Sequence, residues 1–321
     1  MGQTPERLGE NARNPHRWES ADEIYFCLQS IHNHAPWIRT IWVIVDGDAP
    51  DLTGMAQAIR AKVRIVSHEE IFAGYAHVLP TFNSIAIESM MWRIDGLAER
   101  FLYFNDDVFL TAPLTPQDVF DGVSPVLRGG WRDYSGLAAD PAARDDPALF
   151  NHFMQINAAA LCGLGADNIF AAAHAVHPMR RSIMAALFDA RTAEFEANIT
   201  PRFRTLAQFL PQAAHNHWCI LADEAVFAPA RDHLHIRSGQ GNGEAPERTR
   251  GLLLDLGRTS TRMLCVNDLP QLEALVPDAR MLIREAIGGG LVYSGECEPA
   301  VNSSKASSAL APKVTDGPPP I

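Results

Sequence analysis

The sequence has no run of apolar residues long enough to span a bilayer, and its first 17 residues lack the apolar core of a secretory signal. Glu6 stands where a myristoylation signal needs Ser or Thr, so no lipid anchor is expected at this end. No CxxC pair occurs. The five cysteines (Cys27, Cys162, Cys219, Cys265, Cys297) are odd in number and widely spread, which reads as buried thiols in a reducing compartment. Positive charge is scarce as well: 27 Lys and Arg face 38 Asp and Glu, and a net charge of −11 argues against general nucleic-acid binding. Ser238 to Arg248 is glycine-rich, but no Gly-Lys-Ser/Thr follows, so it reads as a connector and not a phosphate loop. What remains is a cytoplasmic globular protein, 47% apolar and 20% charged over 321 residues, able to bury a large core.

The pattern along the chain is helix alternating with buried strand, which predicts an α/β fold with a mostly parallel, Rossmann-like sheet and a helical insertion. Ser20 and Glu23 form a capping box ahead of the apolar face Ile24, Cys27, Leu28 and Ile31, and Pro36 ends that helix. Ile41 to Val45 and Val63 to Val66 read as strands around a short helix ending near Lys62. A helix runs from Asn83 or Ser84 to Arg93. Proline and glycine punctuate 111–150, which reads as a lid or long excursion, and 151–228 reads as helical. Leu252 to Leu254 and Met263 to Val266 look like two further strands. Residues 1–16 read as a flexible lead-in, 17–290 as one domain and 291–321 as a disordered Ser-, Ala- and Pro-rich tail.

The chain is organised around Arg100 to Leu110. Phe101 to Phe104 is an apolar run short enough for a buried strand; it breaks at Asn105-Asp106-Asp107 and resumes at Val108. Adjacent carboxylates at a strand end repel each other unless a counter-charge is supplied, and hard Mg²⁺ or Mn²⁺ suits oxygen ligands that also face phosphate. Taken alone, the three residues are more often a plain turn. They are not alone. Glu23 to Ile31, His34 to Arg39, Val45-Asp46-Gly47, Leu79 to Ser84, Ala86 to Ser89 and Arg93 to Leu97 precede them in one register. From about Arg17 to Leu110 this series resembles the second conserved region of the Stealth family of sugar-phosphate transferases.

Two later segments extend the resemblance. His174 to Arg181, with Arg202-Phe203-Arg204 and His215-Asn216-His217 farther on, is similar to the family's third region, although Val176 stands where the family commonly has proline. Arg262 to Asp268 resembles the fourth, a strand ending in Asn-Asp. Nothing in residues 1–17 matches the family's first region, a strand of the type Asp-Ala-Val-Tyr-Thr-Trp-Val-Asp-Gly.

The resemblance implies transfer of a sugar-1-phosphate from a nucleotide-sugar donor to a hydroxyl of a glycan acceptor, in the cytoplasm or beside a polysaccharide-synthesis complex at the inner membrane face. By the same match His174, Arg204 and Asp107 are catalytic, Asp46, Asn83 and Asn105 bind the donor, and Asp106, Asp107 and Asp268 hold Mg²⁺ or Mn²⁺. His177, ahead of Pro178, suits a first-turn or capping role in the helix that follows. A lone histidine is more often bonded to backbone and a lone arginine more often in a surface ion pair. Zinc on His174, His177, His215, His217, His233 and His235 fits no standard spacing. The rival functions are an ordinary metal-dependent glycosyltransferase, which releases a nucleoside diphosphate, and a non-catalytic binder of sugar-nucleotide that lacks the first region.

Overall fold

Apolar, β-branched runs become strands where they can pair, and helices start where a side chain can cover the free N–H groups. A computed structural model describes residues 21–146, 149–237 and 245–290. Helix α1 (Glu23–His34) opens with the Glu23 carboxylate accepting a bond from the Ala21 N–H at 3.1 Å. Its N-cap is Asp22, in left-handed backbone at φ 65°, and not Ser20, which lies outside the described residues. Strand β1 (Ile41–Val45) leads through α2 (Gln57–Arg60) to β2 (Val63–Ser67), its parallel partner. Ser67 caps α3 (His68–Ile71) in a reciprocal box with Glu70. Asn83 caps α4 (Ser84–Met90), which tightens into a 3₁₀ turn over Met91–Arg93. β3 (Arg100–Tyr103) and β4 (Val108–Leu110) then bracket Asn105 to Asp107.

The segment 111–150 is less of an excursion than its punctuation suggests. It holds β5 (Phe120–Asp121), β6 (Ser124–Leu127), β7 (Gly129–Arg132) and α5 (Ser135–Ala139), and Leu114, Val119, Phe120, Val126 and Leu127 are buried. Turn residues between very short strands look, in sequence, like one long loop. α6 (Phe150–Leu161) and β8 (Ile169–Ala172) follow.

Next comes a correction. His177 does not enter a helix: His177–Arg180 is strand β9, antiparallel to β3 with His177 opposite Tyr103, and α7 (Arg181–Ala190) begins after it. Pro178 is tolerated because β9 is paired on one side only among the described residues, so that a missing N–H can face away from the ladder. α8 (Thr192–Ile199), α9 (Pro211–Leu221), β10 (Val226–Phe227) and β11 (His233–Ile236) complete this part. Leu252 to Leu254 is not a strand either but the last turn of α10 (Pro246–Leu254), started by Pro246 and Glu247. β12 (Met263–Val266), α11 (Leu269–Leu275) and α12 (Ala279–Ala286) close the described chain.

The α/β character holds, but the described strands do not make one mostly parallel, Rossmann-like sheet. They form small sheets: β1–β2 is parallel, β3–β9 and β7–β8 are antiparallel, and β10–β6–β5 and β11–β12–β4 are mixed. An apolar run buried on both faces reads the same whichever way its neighbour points, so direction is not legible from it. Two cores flank these sheets. One gathers Ile85, Met90, Met184, Leu187, Phe195 and Phe209; the other gathers Val108, Leu110, Leu114, Val176, Met263 and Cys265.

One buried ion pair ties the turn between β6 and β7 to the start of β11. The Arg128 side chain, almost fully buried, donates from Nε to Asp232 Oδ1 at 2.8 Å and from Nη2 to Oδ2 at 2.8 Å. Burial pushes the Asp232 carboxyl up, but bonds from His233 and Arg128 outweigh it and hold the group well below the usual carboxylate range. Asp232→Asn leaves the Arg128 charge uncompensated and should cost about 3 kcal/mol in denaturant unfolding. Because the folded pKa is depressed, this contribution is present above the ordinary carboxylate pKa and is lost as pH falls below it. Parent and variant stabilities should therefore converge in acid.

Candidate functional site

β3 ends where its apolar run ends, and the turn Asn105-Asp106-Asp107 carries the chain into β4. The Tyr103 hydroxyl donates a short bond to Asn105 Oδ1. Asn105 Nδ2 lies 3.4 Å from Nε2 of His174, which stands in the loop between β8 and β9. The His174 ring packs on His235 of β11, with centroids 4.9 Å apart. From β12, the Cys265 thiol lies 3.6 Å from Asp107 Oδ2 and 3.6 Å from Asn267 Oδ1. One ligand atom from each of Asp107, His174 and Cys265 lies within 4.8 Å of the other two. Four separate stretches of sequence thus meet at one point.

The electrostatics follow from crowding. Burial, then the charges of Asp106 and Glu23, push the Asp107 carboxyl up to about 7, against a lowering bond from Cys265. Burial first, then His235, Arg204 and Arg237, lower His174 to about 4, so its imidazole is neutral at pH 7. Burial and the neighbouring Asp107 raise the Cys265 thiol, which stays protonated. Asp107 Oδ1 is buried without a hydrogen-bond partner. An orphaned carboxylate oxygen beside nitrogen and sulfur donors fits a divalent cation. With its nitrogen and sulfur atoms the donor set is softer than the oxygen shell that Mg²⁺ or Mn²⁺ prefers, and it suits Zn²⁺.

Arg204 reaches the site from the loop before α9. Its Nη2 donates a short bond to Ser84 Oγ at the start of α4. One turn on, Glu88 is buried; burial raises its carboxyl, while Arg204, Tyr103, Ser84 and Gln212 pull it down. Glu88 thus lies between two bonded pairs, Arg204 with Ser84 and Tyr103 with Asn105, and its Oε2 is buried without a hydrogen-bond partner.

The Arg204 loop is held by side-chain amides acting on backbone. Asn83 Nδ2 donates to Pro201 O at 2.8 Å and to Gln208 Oε1 at 3.0 Å, while its Oδ1 accepts from Ile85 N at 3.2 Å. Asn157 donates to the carbonyls of Leu206 and Gln208, both at 2.8 Å, and Asn198 to that of Phe209 at 3.1 Å.

The remaining residues anticipated from sequence sit as follows. Asp106 is exposed and lines a cleft between β1 and β3. Asp46 is exposed at the end of β1, 3.8 Å from His68 Nδ1. Asn83 is fully buried, and the bonds just given engage both ends of its amide. Asp268 caps α11, accepting from Gln271 N at 3.0 Å. Among the described residues, the Asp107 cluster draws on β12 through Cys265 and not through Asp268.

Cys265, Tyr103 and Glu88 were not singled out as site residues from sequence, and His235 was weighed only as a zinc ligand. The β12–β4 register places Cys265 opposite Val108, next to Asp107, and no local motif encodes that pairing. Tyr103 and Glu88 read in sequence as part of an aromatic strand and of a helical face.

Residues 17–125 match the model of Stealth protein conserved region 2. An exopolysaccharide phosphotransferase of Streptomyces coelicolor is 31% identical over 264 residues, 79% of this chain and 42% of that protein. A capsular polysaccharide phosphotransferase of Neisseria meningitidis serogroup B is 34% identical over 116 residues, 36% of this chain and 30% of that protein. The mouse N-acetylglucosamine-1-phosphotransferase subunits alpha/beta are 40% identical over 104 residues, 32% of this chain and 8% of that protein. The chain spans less than half the length of these relatives. Carrying their conserved region 2 with Asn105 to Asp107 at its heart, the chain belongs to the Stealth family.

Proposed function

We propose that the chain is a phosphotransferase of capsule or exopolysaccharide synthesis, moving a sugar-1-phosphate from a nucleotide-sugar to a glycan hydroxyl. The observation that carries this reading is the meeting of Asn105, Asp107 and His174, with Arg204, bonded to Ser84, close enough for its charge to lower the His174 pKa. The acceptor oxygen attacks the phosphorus attached to the sugar, the bond to the nucleotide's own phosphate breaks, and a nucleoside monophosphate leaves. His174, neutral and half-buried, takes the acceptor proton on Nε2 or adds transiently to the phosphorus, the incoming group displacing the 3.4 Å contact from Asn105 Nδ2. Arg204, exposed at the rim, offers its guanidinium fork to the non-bridging oxygens. Asn105 holds the edge of the His174 ring and keeps it aimed.

Asp106 and Asp107 are the residues that would hold Mg²⁺ or Mn²⁺, with Asp268 at the same strand end. Such a cation neutralises the diphosphate and the departing phosphate. A second reading rests on the Asp107, His174 and Cys265 cluster: there the histidine and the thiol are ligands too, and Zn²⁺ is preferred. Positioning and charge supply most of phosphoryl-transfer catalysis, so either arrangement is a sufficient kit. Acting on polysaccharide, the enzyme would work in the cytoplasm against the inner membrane face, with residues 17–290 as its catalytic unit. No helix among the described residues is long and apolar enough to cross a membrane.

The test is the identity of the released nucleotide. With a nucleotide-sugar and a polysaccharide acceptor, a nucleoside monophosphate is expected; a diphosphate would mean an ordinary glycosyltransferase, and neither would mean a binder. Arg204→Lys keeps the charge but loses the fork. It is expected to lower kcat/KM by about tenfold or more, or at least 1.4 kcal/mol of transition-state stabilisation.

A further inference from the structure

The ladders leave a gap. β1 is paired to β2 alone and β3 to β9 alone among the described residues. Between β1 and β3 lies a cleft of ≈ 800 Å³ lined by every residue of both strands. Trp42 and Ile44 of β1 and Phe101 and Tyr103 of β3 rest on one core, while Leu102 and Phe104 turn to the other, so both strands run between apolar layers. One wall of the cleft is α1, through Ile24 and Ile31; the opposite wall is α4 and its 3₁₀ turn, through Ile87 and Met91.

The burial pattern is unusual for such a position. Ile41 to Val45 is an uncharged run of the kind central strands carry, yet none of the five is fully buried, nor is any of Phe101 to Phe104. Soluble proteins rarely leave so continuous an apolar surface bare. The opening also has two rows of backbone groups, one on each side, that no described strand pairs. Most lining residues are apolar, with Arg39, Glu88, Arg100 and Asp106 its charged members. An extended peptide satisfies both features at once: its backbone bonds to both edges, and its side chains, apolar on both faces, fill both walls.

We propose that this cleft is a strand-acceptor slot, in which an extended, uncharged apolar peptide segment of about five residues inserts between β1 and β3. The inserted strand joins β2–β1 and β3–β9 into one five-stranded sheet. Its edge passes Ser84 and Glu88, and it reaches Asn105 and Asp106, so filling the slot also closes one side of the site. The slot stands on backbone pairing and apolar burial, and is independent of whether the chain transfers phosphate.

The experiment is hydrogen exchange, with melting temperature, on the whole chain. The probes are a synthetic peptide of five alternating Val and Ile residues between Gly-Lys ends, and the same peptide with proline at its centre. The first peptide is expected to raise the melting temperature and to slow exchange of slot-facing amides in both β1 and β3 by roughly tenfold or more. The proline peptide should do neither, because it lacks a ladder donor. Ile24→Arg and Ile87→Arg, one on each wall, should each abolish the protection while the free chain still melts cooperatively. Two variants guard against one failing to fold. Protection in neither strand, equal effects of both peptides, or the same protection from a nucleotide-sugar would overturn the proposal. So would protection that grows with concentration of the chain alone, which would make a second copy the occupant.

Discussion

His174→Ala is expected to lower turnover by about 10²- to 10⁴-fold while donor binding and melting temperature stay close to those of the parent. The side chain is half-buried in a loop, bonds Asn105 at 3.4 Å and packs on His235, so little of the core depends on it. In the proposed mechanism its neutral imidazole acts on the proton or phosphorus in flight, and loss of such a group falls on kcat and not on ground-state affinity. His177→Ala should behave in the opposite way. That ring stacks on Tyr103 at 6.0 Å within the β3–β9 ladder. Losing it should cost about 2 kcal/mol of stability through lost packing and stacking, and should spare more of the turnover. Melting temperature, turnover and metal affinity measured on both variants separate the readings. If His174→Ala also loses the metal, the histidine is a ligand and the Asp107, His174 and Cys265 cluster is the metal site. If His177→Ala is the inactive, well-folded variant, the assignment of the two histidines is reversed.

Asp107→Asn is expected to remove the dependence of nucleotide-sugar affinity on Mn²⁺ or Mg²⁺, leaving the chelated and metal-loaded proteins indistinguishable. The parent should bind metal more tightly as pH rises through about 7, because the Asp107 proton must leave first. The stability effect has the opposite sign. A carboxyl whose folded pKa is raised binds more protons folded than unfolded, so the metal-free chain loses stability as pH climbs from the ordinary carboxylate range to about 7. Asp107→Asn should therefore be the more stable protein above that pH in chelator, and no different in acid. Denaturant curves at three pH values, with and without metal, check both halves. Equal donor binding with and without chelator in the parent would remove the metal from the mechanism.

Much of the fold was legible because local signals and tertiary structure agreed. Ile41 to Val45 and Met263 to Val266 are strands as their patterns imply, and Met184, Leu187 and Phe188 are the buried face of α7. What could not be read was pairing. His177 precedes Pro178 and Met179 in a segment that resembles a helix entry, yet β3 captures it as a strand. Leu252 to Leu254 has strand composition, but Pro246 and Glu247 had already committed the segment to helix. The site divides along the same line. Asn105, Asp107 and His174 lie in recognisable motifs, whereas Cys265 reaches Asp107 only through the β12–β4 register. Asn83 lies in such a motif too, and its fully engaged amide suits a clamp more than a contact with ligand.

That clamp bears on how the family's chemistry can diversify. Asn83, Asn157 and Asn198 grip the segment carrying Arg204 by the carbonyls of Pro201, Leu206, Gln208 and Phe209. Main-chain carbonyls are common to all twenty residue types, so the grip is largely indifferent to which side chains the segment displays. Arg202, Thr205 and Ala207, exposed around the arginine, can thus drift or be redesigned while Arg204 keeps its aim. The surface beside Arg204 is able to change at little risk to folding.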